Sequence, residues 1–212
     1  MMKRRVRLLS TVLVTAVVAL TVGVMIGRAG DAADPPSLSR VDIGFAQDML
    51  AHHQQALAII GQLSPNAAPE IRAVADQISR TQLAETGQLR GWLQATGNPE
   101  QSPTPMAWMS PHGHHPSAHT ASGAMPGMAT DAELTALHFT DGVANEKSFL
   151  QLMIRHHQGG IQMTQEVREH GHSRSVTTTA TQMQDDQSNE VDLMVTFLTQ
   201  LGGSPLSFDH GG

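Results

Sequence analysis

Cysteine is missing from all 212 residues, which excludes disulfides and every thiolate metal site. Tyrosine is missing too, and the aromatic complement is five Phe and two Trp. Positive charge is scarce where it would matter. Of thirteen basic residues, five (Lys3, Arg4, Arg5, Arg7 and Arg28) precede residue 30, leaving eight against nineteen acidic ones, a balance of −11 beyond that point. Such a domain repels nucleic acid and favours cations. No nucleophile triad and no phosphate-cradling loop can be discerned. Against these gaps stand twelve histidines and twelve methionines, of which all the histidines and nine methionines follow residue 30. Any soft-metal chemistry must therefore use imidazole nitrogen and thioether sulfur.

The only long uncharged apolar run is Leu8 to Ile26, behind the basic head. That layout predicts a signal peptide or a retained membrane anchor over 1–30, with the basic end cytoplasmic and the remainder extracytoplasmic. Residues 31–40, with two prolines, read as a tether.

From residue 41 the apolar positions Ile43, Phe45, Met49, Leu50, Ala56, Ile59, Ile60 and Leu63 recur at threes and fours, predicting an amphipathic helix. Ser64-Pro65-Asn66 breaks it. A second helix starts near Pro69, carries Ile71, Val74, Ile78, Leu83, Leu89, Trp92 and Leu93, and ends at Gly97-Asn98-Pro99. Residues 98–130 lack a period and are rich in Pro, Ser, Gly, His and Met, so a mobile linker is expected there. A helix resumes at Asp131 and runs to about Glu169, with a bend near Asp141-Gly142. A last one spans Arg174 to Leu201, closed by Gly202-Gly203. Residues 204–212 read as a tail.

The halves repeat. Phe45, Gln47, Met49, His52, His53 and Gln54 match Phe149, Gln151, Met153, His156, His157 and Gln158 at an offset of 104. Ile71, Ala75, Gln77, Ile78, Gln82, Glu85, Trp92, Leu93 and Gly97 match Val176, Ala180, Gln182, Met183, Gln187, Glu190, Phe197, Leu198 and Gly202 at 105. A helical hairpin has been duplicated. Two such hairpins, 41–97 and 131–203, bury their apolar faces against one another as an all-α four-helix bundle over 41–203, with 98–130 as a long crossover.

Residues three and four apart share a helix face, so Met49 lies one turn before His52 and His53, and Met153 one turn before His156 and His157. Each first helix thus offers one thioether and two imidazoles near the interior. Asp48 adds a carboxylate whose counterpart is Leu152, so that feature is not symmetric. Glu85 and Glu190, each three residues after a Gln, are placed to orient a histidine or to ligate directly. The metal-ligand set is therefore Met49, His52, His53, Met153, His156, His157, Glu85 and Glu190. The linker residues Met106, Met109, His112, His114, His115, His119, Met125 and Met128 form a weaker set suited to Cu(I) or Ag(I). Read blandly, interior histidines are held by hydrogen bonds and methionines fill gaps; duplication copies structural residues as readily as functional ones.

The segments "FAQDMLAHHQQALAI" and "FLQLMIRHHQGGIQM", each followed by a helix with Gln-x-x-Glu and an aromatic-Leu end, resemble domain-of-unknown-function family 305. The "MPGM" stretch before the second copy resembles members with two hairpins. The resemblance implies a ferritin-like four-helix bundle, export, and in some members copper or silver binding; it assigns no reaction. Arg155 stands where many relatives carry proline, and Ala51 departs likewise. Three functions are then in competition. The first is an exported, non-catalytic protein that binds copper as Cu(I) and buffers it or passes it to a metal-handling partner. The second is a cell-surface interaction or sensory bundle with structural histidine pairs. The third, a ferritin-like metal oxidase, wants Glu-x-x-His motifs, which are lacking at the matched positions.

Overall fold

A computed structural model describes residues 37–109 and 125–208. The apolar N-terminal run and His112, His114, His115 and His119 lie outside the described residues. Five α-helices and one short 3-10 turn make up the regular structure, with no strand among the described residues. They are α1 (Arg40–Ile60), α2 (Pro69–Ala95), α3 (Asp131–His138), α4 (Gly142–His170) and α5 (Arg174–Gln200), with the turn at Ala107–Met109. Among the described residues no helix is long and apolar enough to cross a membrane.

Local chemistry sets the helix ends. Ser39 caps α1 through a capping box with Asp42, each side chain satisfying a backbone N–H that the helix leaves orphaned. The fully buried Asp42 also accepts from the backbone N–H groups of His172 and Ser173, joining the start of α1 to the start of α5. Pro69 occupies the first position of α2, where its missing N–H costs nothing. Thr130 and Glu133 form a second capping box at α3.

The expected long helix from Asp131 with a bend is instead two helices. Asp141 caps α4 and Gly142 takes φ +58. Buried Asn145 bonds Ser64 N–H, the carbonyl of Gln62 and the carbonyl of Leu137, so the break is stapled to the α1–α2 turn. The tail is not wholly free either: Gln151 donates to the carbonyl of Ser204, and Leu206 packs on the core.

The hairpins α1–α2 and α4–α5 meet chiefly along α1 and α4 as a helical bundle. Apolar side chains divide into two clusters. One gathers Ala56, Ile59, Ile71, Ile78, Phe149, Leu150, Met153, Met194 and Leu198. The other gathers Phe45, Met49, Leu50, Leu89, Leu93, Met163, Val167, Val176 and Met183. The end of α1 thus packs with the start of α4, and the start of α1 with the end of α4. This is the antiparallel arrangement that a two-fold between the repeats produces. Polar side chains occupy the level between the clusters.

The linker departs from its expectation at both ends. Met106 and Trp108 are buried in the second cluster, and Ala129 is buried in the first. The cause is specific docking. Asp48 accepts from the backbone N–H of Met106 at 2.7 Å and from Trp108 Nε1–H at 2.8 Å. Met106 adopts φ 64, a left-handed backbone uncommon outside glycine. Gly44 provides the space for the indole: a Cβ there would lie 2.6 Å from the Trp108 ring.

Candidate metal centre

The polar level is built on the two histidine pairs. His52, His53, His156 and His157 are all fully buried. The rings of His52 and His156 stack with centroids 3.8 Å apart and planes tilted by 35°. His156 Nε2–H donates to the main-chain carbonyl of His52 at 3.1 Å. By symmetry His52 would reach the carbonyl of His156; it donates instead to the carbonyl of Pro126, also at 3.1 Å.

The outer pair points to the second helices. His157 Nε2 lies 2.8 Å from Glu190 Oε2 in a well-aligned hydrogen bond. His53 Nε2 lies 2.7 Å from Glu85 Oε2, an ion-pair contact without that alignment. The 100° step between adjacent helix residues separates these roles: the first histidine of each pair faces the other repeat, the second its own hairpin partner.

A carbonyl can only accept, so His52 and His156 carry their proton on Nε2, and in the neutral ring Nδ1 holds a lone pair. The Nδ1 atoms of all four histidines are buried and without a partner. Each such orphan costs on the order of 1–3 kcal/mol. Four at one level is an uncommon concentration, since buried polar atoms are nearly always paired.

Electrostatics keep the inner rings neutral. Burial pushes His52 down to about 3, helped by the nearness of His53 and, less, His157, and opposed by the Pro126 hydrogen bond. Burial, then repulsion from His52, His157 and His53, holds His156 well below the ordinary histidine range. The four rings therefore sense one another across the repeat boundary. Asp186 marks the outer edge. Its carboxyl is raised by burial and by Glu85, Glu190 and Asp185, so both orienting glutamates lie on one side of the bundle.

Met49 and Met153 are fully buried, but they belong to opposite apolar clusters. The thioethers flank the histidine level from its two sides, each one helical turn from its own pair. Among the described residues no three His, Asp or Glu side chains are gathered as they stand to hold an ion. A soft monovalent ion needs only two donors and takes thioethers as well as imidazoles.

Of the linker set, Met106 is core and is corrected from free ligand to packing residue. Met109 and Met125 pack partly buried against the same cluster, and Met128 is partly exposed. Residues that sequence reasoning passed over include Gln55, which holds Ala129, together with Pro126, Gly44 and Gly159. Asp48, weighed as an extra donor, is a linker anchor. Its raised carboxyl reflects burial, partly offset by the Met106 and Trp108 hydrogen bonds.

The family described as Domain of unknown function (DUF305) matches residues 42–198. The chain belongs to this family. A candidate secreted DUF305 protein from Streptomyces coelicolor has a crystal structure 34% identical in sequence, with a TM-score of 0.70 over 80% of this chain and 98% of that one. A DUF305 fragment from Deinococcus radiodurans is 28% identical, with a TM-score of 0.64 over 78% and 99%. CopM in its Cu(I)-bound form, 21% identical, superposes with a TM-score of 0.58 over 76% of this chain and 98% of that one, and in its Cu(II)-bound form, also 21% identical, with a TM-score of 0.57 over 75% and 96%. At that identity the CopM likeness speaks for the fold. No curated protein sequence matches the chain.

Proposed function

We propose that this DUF305 protein is an exported, non-catalytic binder of a soft metal ion, copper as Cu(I), which it buffers or passes on outside the cytoplasm. The observation that carries the reading is the set of four buried, unpartnered imidazole Nδ1 atoms on matched positions of α1 and α4. An ion there would relieve their desolvation. With Nε2–H engaged by a carbonyl in His52 and His156 and by a carboxylate in His157, three of the rings are oriented as a metal-ligating histidine usually is, and His53 Nε2 lies close to Glu85. His52 and His156 supply the inner donors, His53 and His157 the outer ones, Met49 and Met153 the thioethers. Glu85 and Glu190 act here as orienting groups and not as ligands. The frame is read as ferritin-like, built from the repeats 41–97 and 131–203, and CopM, solved in a Cu(I)-bound and a Cu(II)-bound form, has a similar fold. His112, His114, His115 and His119 in the linker would capture ions loosely, and the N-terminal segment would export or anchor the domain.

Isothermal titration with Cu(I) and Ag(I) tests this. Saturable binding far tighter than millimolar is expected; its absence refutes the reading. The second reading, a sensory or interaction bundle with structural histidines, is favoured by the aligned His157–Glu190 pair. It predicts that His52→Ala and His156→Ala lose the same stability with and without metal.

A further inference from the structure

We propose that the turn Met125–Ala129 is a removable strap over the histidine level, and that its opening, not separation of the helices, admits the ion. The proposal rests on the metal reading above and adds the route by which the site is reached.

His52 is fully buried, yet Met125, Pro126, Gly127 and Met128 in front of it are all partly exposed. Pro126, whose carbonyl meets the His52 ring, therefore has solvent on its other side. The strap is held by a short series of polar contacts. Pro126 accepts from His52. Gln55 grips Ala129 from both sides, accepting its N–H at 2.7 Å and donating to its carbonyl at 2.8 Å. Arg155, itself fixed by Glu133, donates to the carbonyl of Met128 at 3.3 Å. On the α4 side the fit depends on glycine. A Cβ on Gly159 would lie 2.0 Å from the Pro126 carbonyl oxygen, and one on Gly127 (φ +74) would lie 2.3 Å from the carbonyl oxygen of Arg155.

The repeat shows that this is an addition to the duplicated frame. Gln55 and Gly159 are the same position in the two copies, 104 residues apart. One copy has become a clamp and the other a notch, and the same strap uses both. Opening it would break a few hydrogen bonds and, besides His52, uncover Met125 and Ala129. Parting α1 from α4 would open two apolar clusters, a far costlier event. The thioethers of Met125 and Met128 flank the Pro126 carbonyl in sequence and give the strap soft donors of its own.

The test compares the full chain with Gln55→Ala, Gly159→Ala and Asn145→Ala. Hydrogen exchange reports opening at the Gly127 and Met128 amides, which do not donate to Gln55, and native mass spectrometry times uptake of Ag(I). Gln55→Ala removes two hydrogen bonds and should speed both processes about tenfold to a hundredfold. Gly159→Ala pushes the strap off the helix and should do the same. Asn145→Ala loosens the α3–α4 break and the α1–α2 turn while leaving every strap hydrogen bond in place, and should leave uptake unchanged. Faster exchange without faster uptake overturns the proposal, as does an Asn145→Ala protein that loads as fast as the strap variants. Unchanged exchange in both strap variants overturns the clamp itself. If no protein takes up Ag(I), the metal reading fails, while the exchange data still decide whether the strap opens.

Discussion

His156 gives its Nε2 proton to the backbone carbonyl of His52, and the two rings stack at 3.8 Å across the boundary between the repeats. The contact fixes the tautomer of one ring through the main chain of the other, so that the two copies are locked to each other at the histidine level. It also separates a ligand from a packing residue. His156→Leu keeps most of the volume and removes a buried polar group, so metal-free stability should change by less than about 1.5 kcal/mol. Ag(I) affinity should fall at least about a hundredfold. Thermal unfolding and titration of the same preparation check both halves of this expectation.

Acid should destabilise the metal-free protein through the inner histidines. Their folded pKa values lie below the unfolded value of 6.5, with His52 at about 3 and His156 well below the ordinary range. Between those limits the unfolded chain binds more protons, so stability rises with pH. The contribution is complete above about pH 6.5 and drains away as pH falls towards 3, by up to roughly 1.4 kcal/mol per pH unit for each ring. Unfolding midpoints measured from pH 7 to pH 4 should drop steadily, and His52→Leu should flatten the slope.

Asp48 ties the linker to α1. Asp48→Ala leaves the Met106 amide and the Trp108 indole N–H without a buried acceptor, at a cost of about 1–3 kcal/mol each. In a Trp92→Phe background the emission of Trp108 should move to longer wavelength as the indole leaves the pocket beside Gly44. An unshifted spectrum would mean that packing against Phe45, edge-on at 5.7 Å, holds the linker without the carboxylate.

Glu85 and Glu190 should act alike. Each faces the outer histidine of its own hairpin, at 2.7 and 2.8 Å. Glu85→Gln and Glu190→Gln should each weaken Cu(I) or Ag(I) binding about tenfold to a hundredfold without abolishing it. Complete loss in either variant would make that glutamate a ligand.

Much of this was legible in the sequence because it is periodic. The spacing of Phe45, Met49, His52, Ala56 and Ile59 marks one helix face, and the 104-residue echo marks its copy. The partner of each outer histidine could be anticipated, since Glu85 and Glu190 repeat as well. What could not be read are the contacts made by a segment with no period. Trp108 in the hollow at Gly44, Pro126 in the notch at Gly159 and the Gln55 clamp depend on distant backbone meeting a helix surface, and helical spacing carries no trace of that. The visible hints were breaks in the symmetry: Asp48 against Leu152, and Gln55 against Gly159. The split between α3 and α4 was only half visible, because Asp141-Gly142 signals a cap while the apolar pattern of Leu134, Leu137 and Phe149 runs on through it.

Nitrogen-15 shifts of the four bundle histidines, followed as Ag(I) is added, address the central claim most directly. The account predicts that Nδ1 resonances of His52 and His156 move on loading while their Nε2 atoms stay protonated, with His53 and His157 responding in step. If silver leaves every one of these nitrogens unmoved, or is held only through histidines outside the bundle, the buried imidazoles are structural and the account is contradicted.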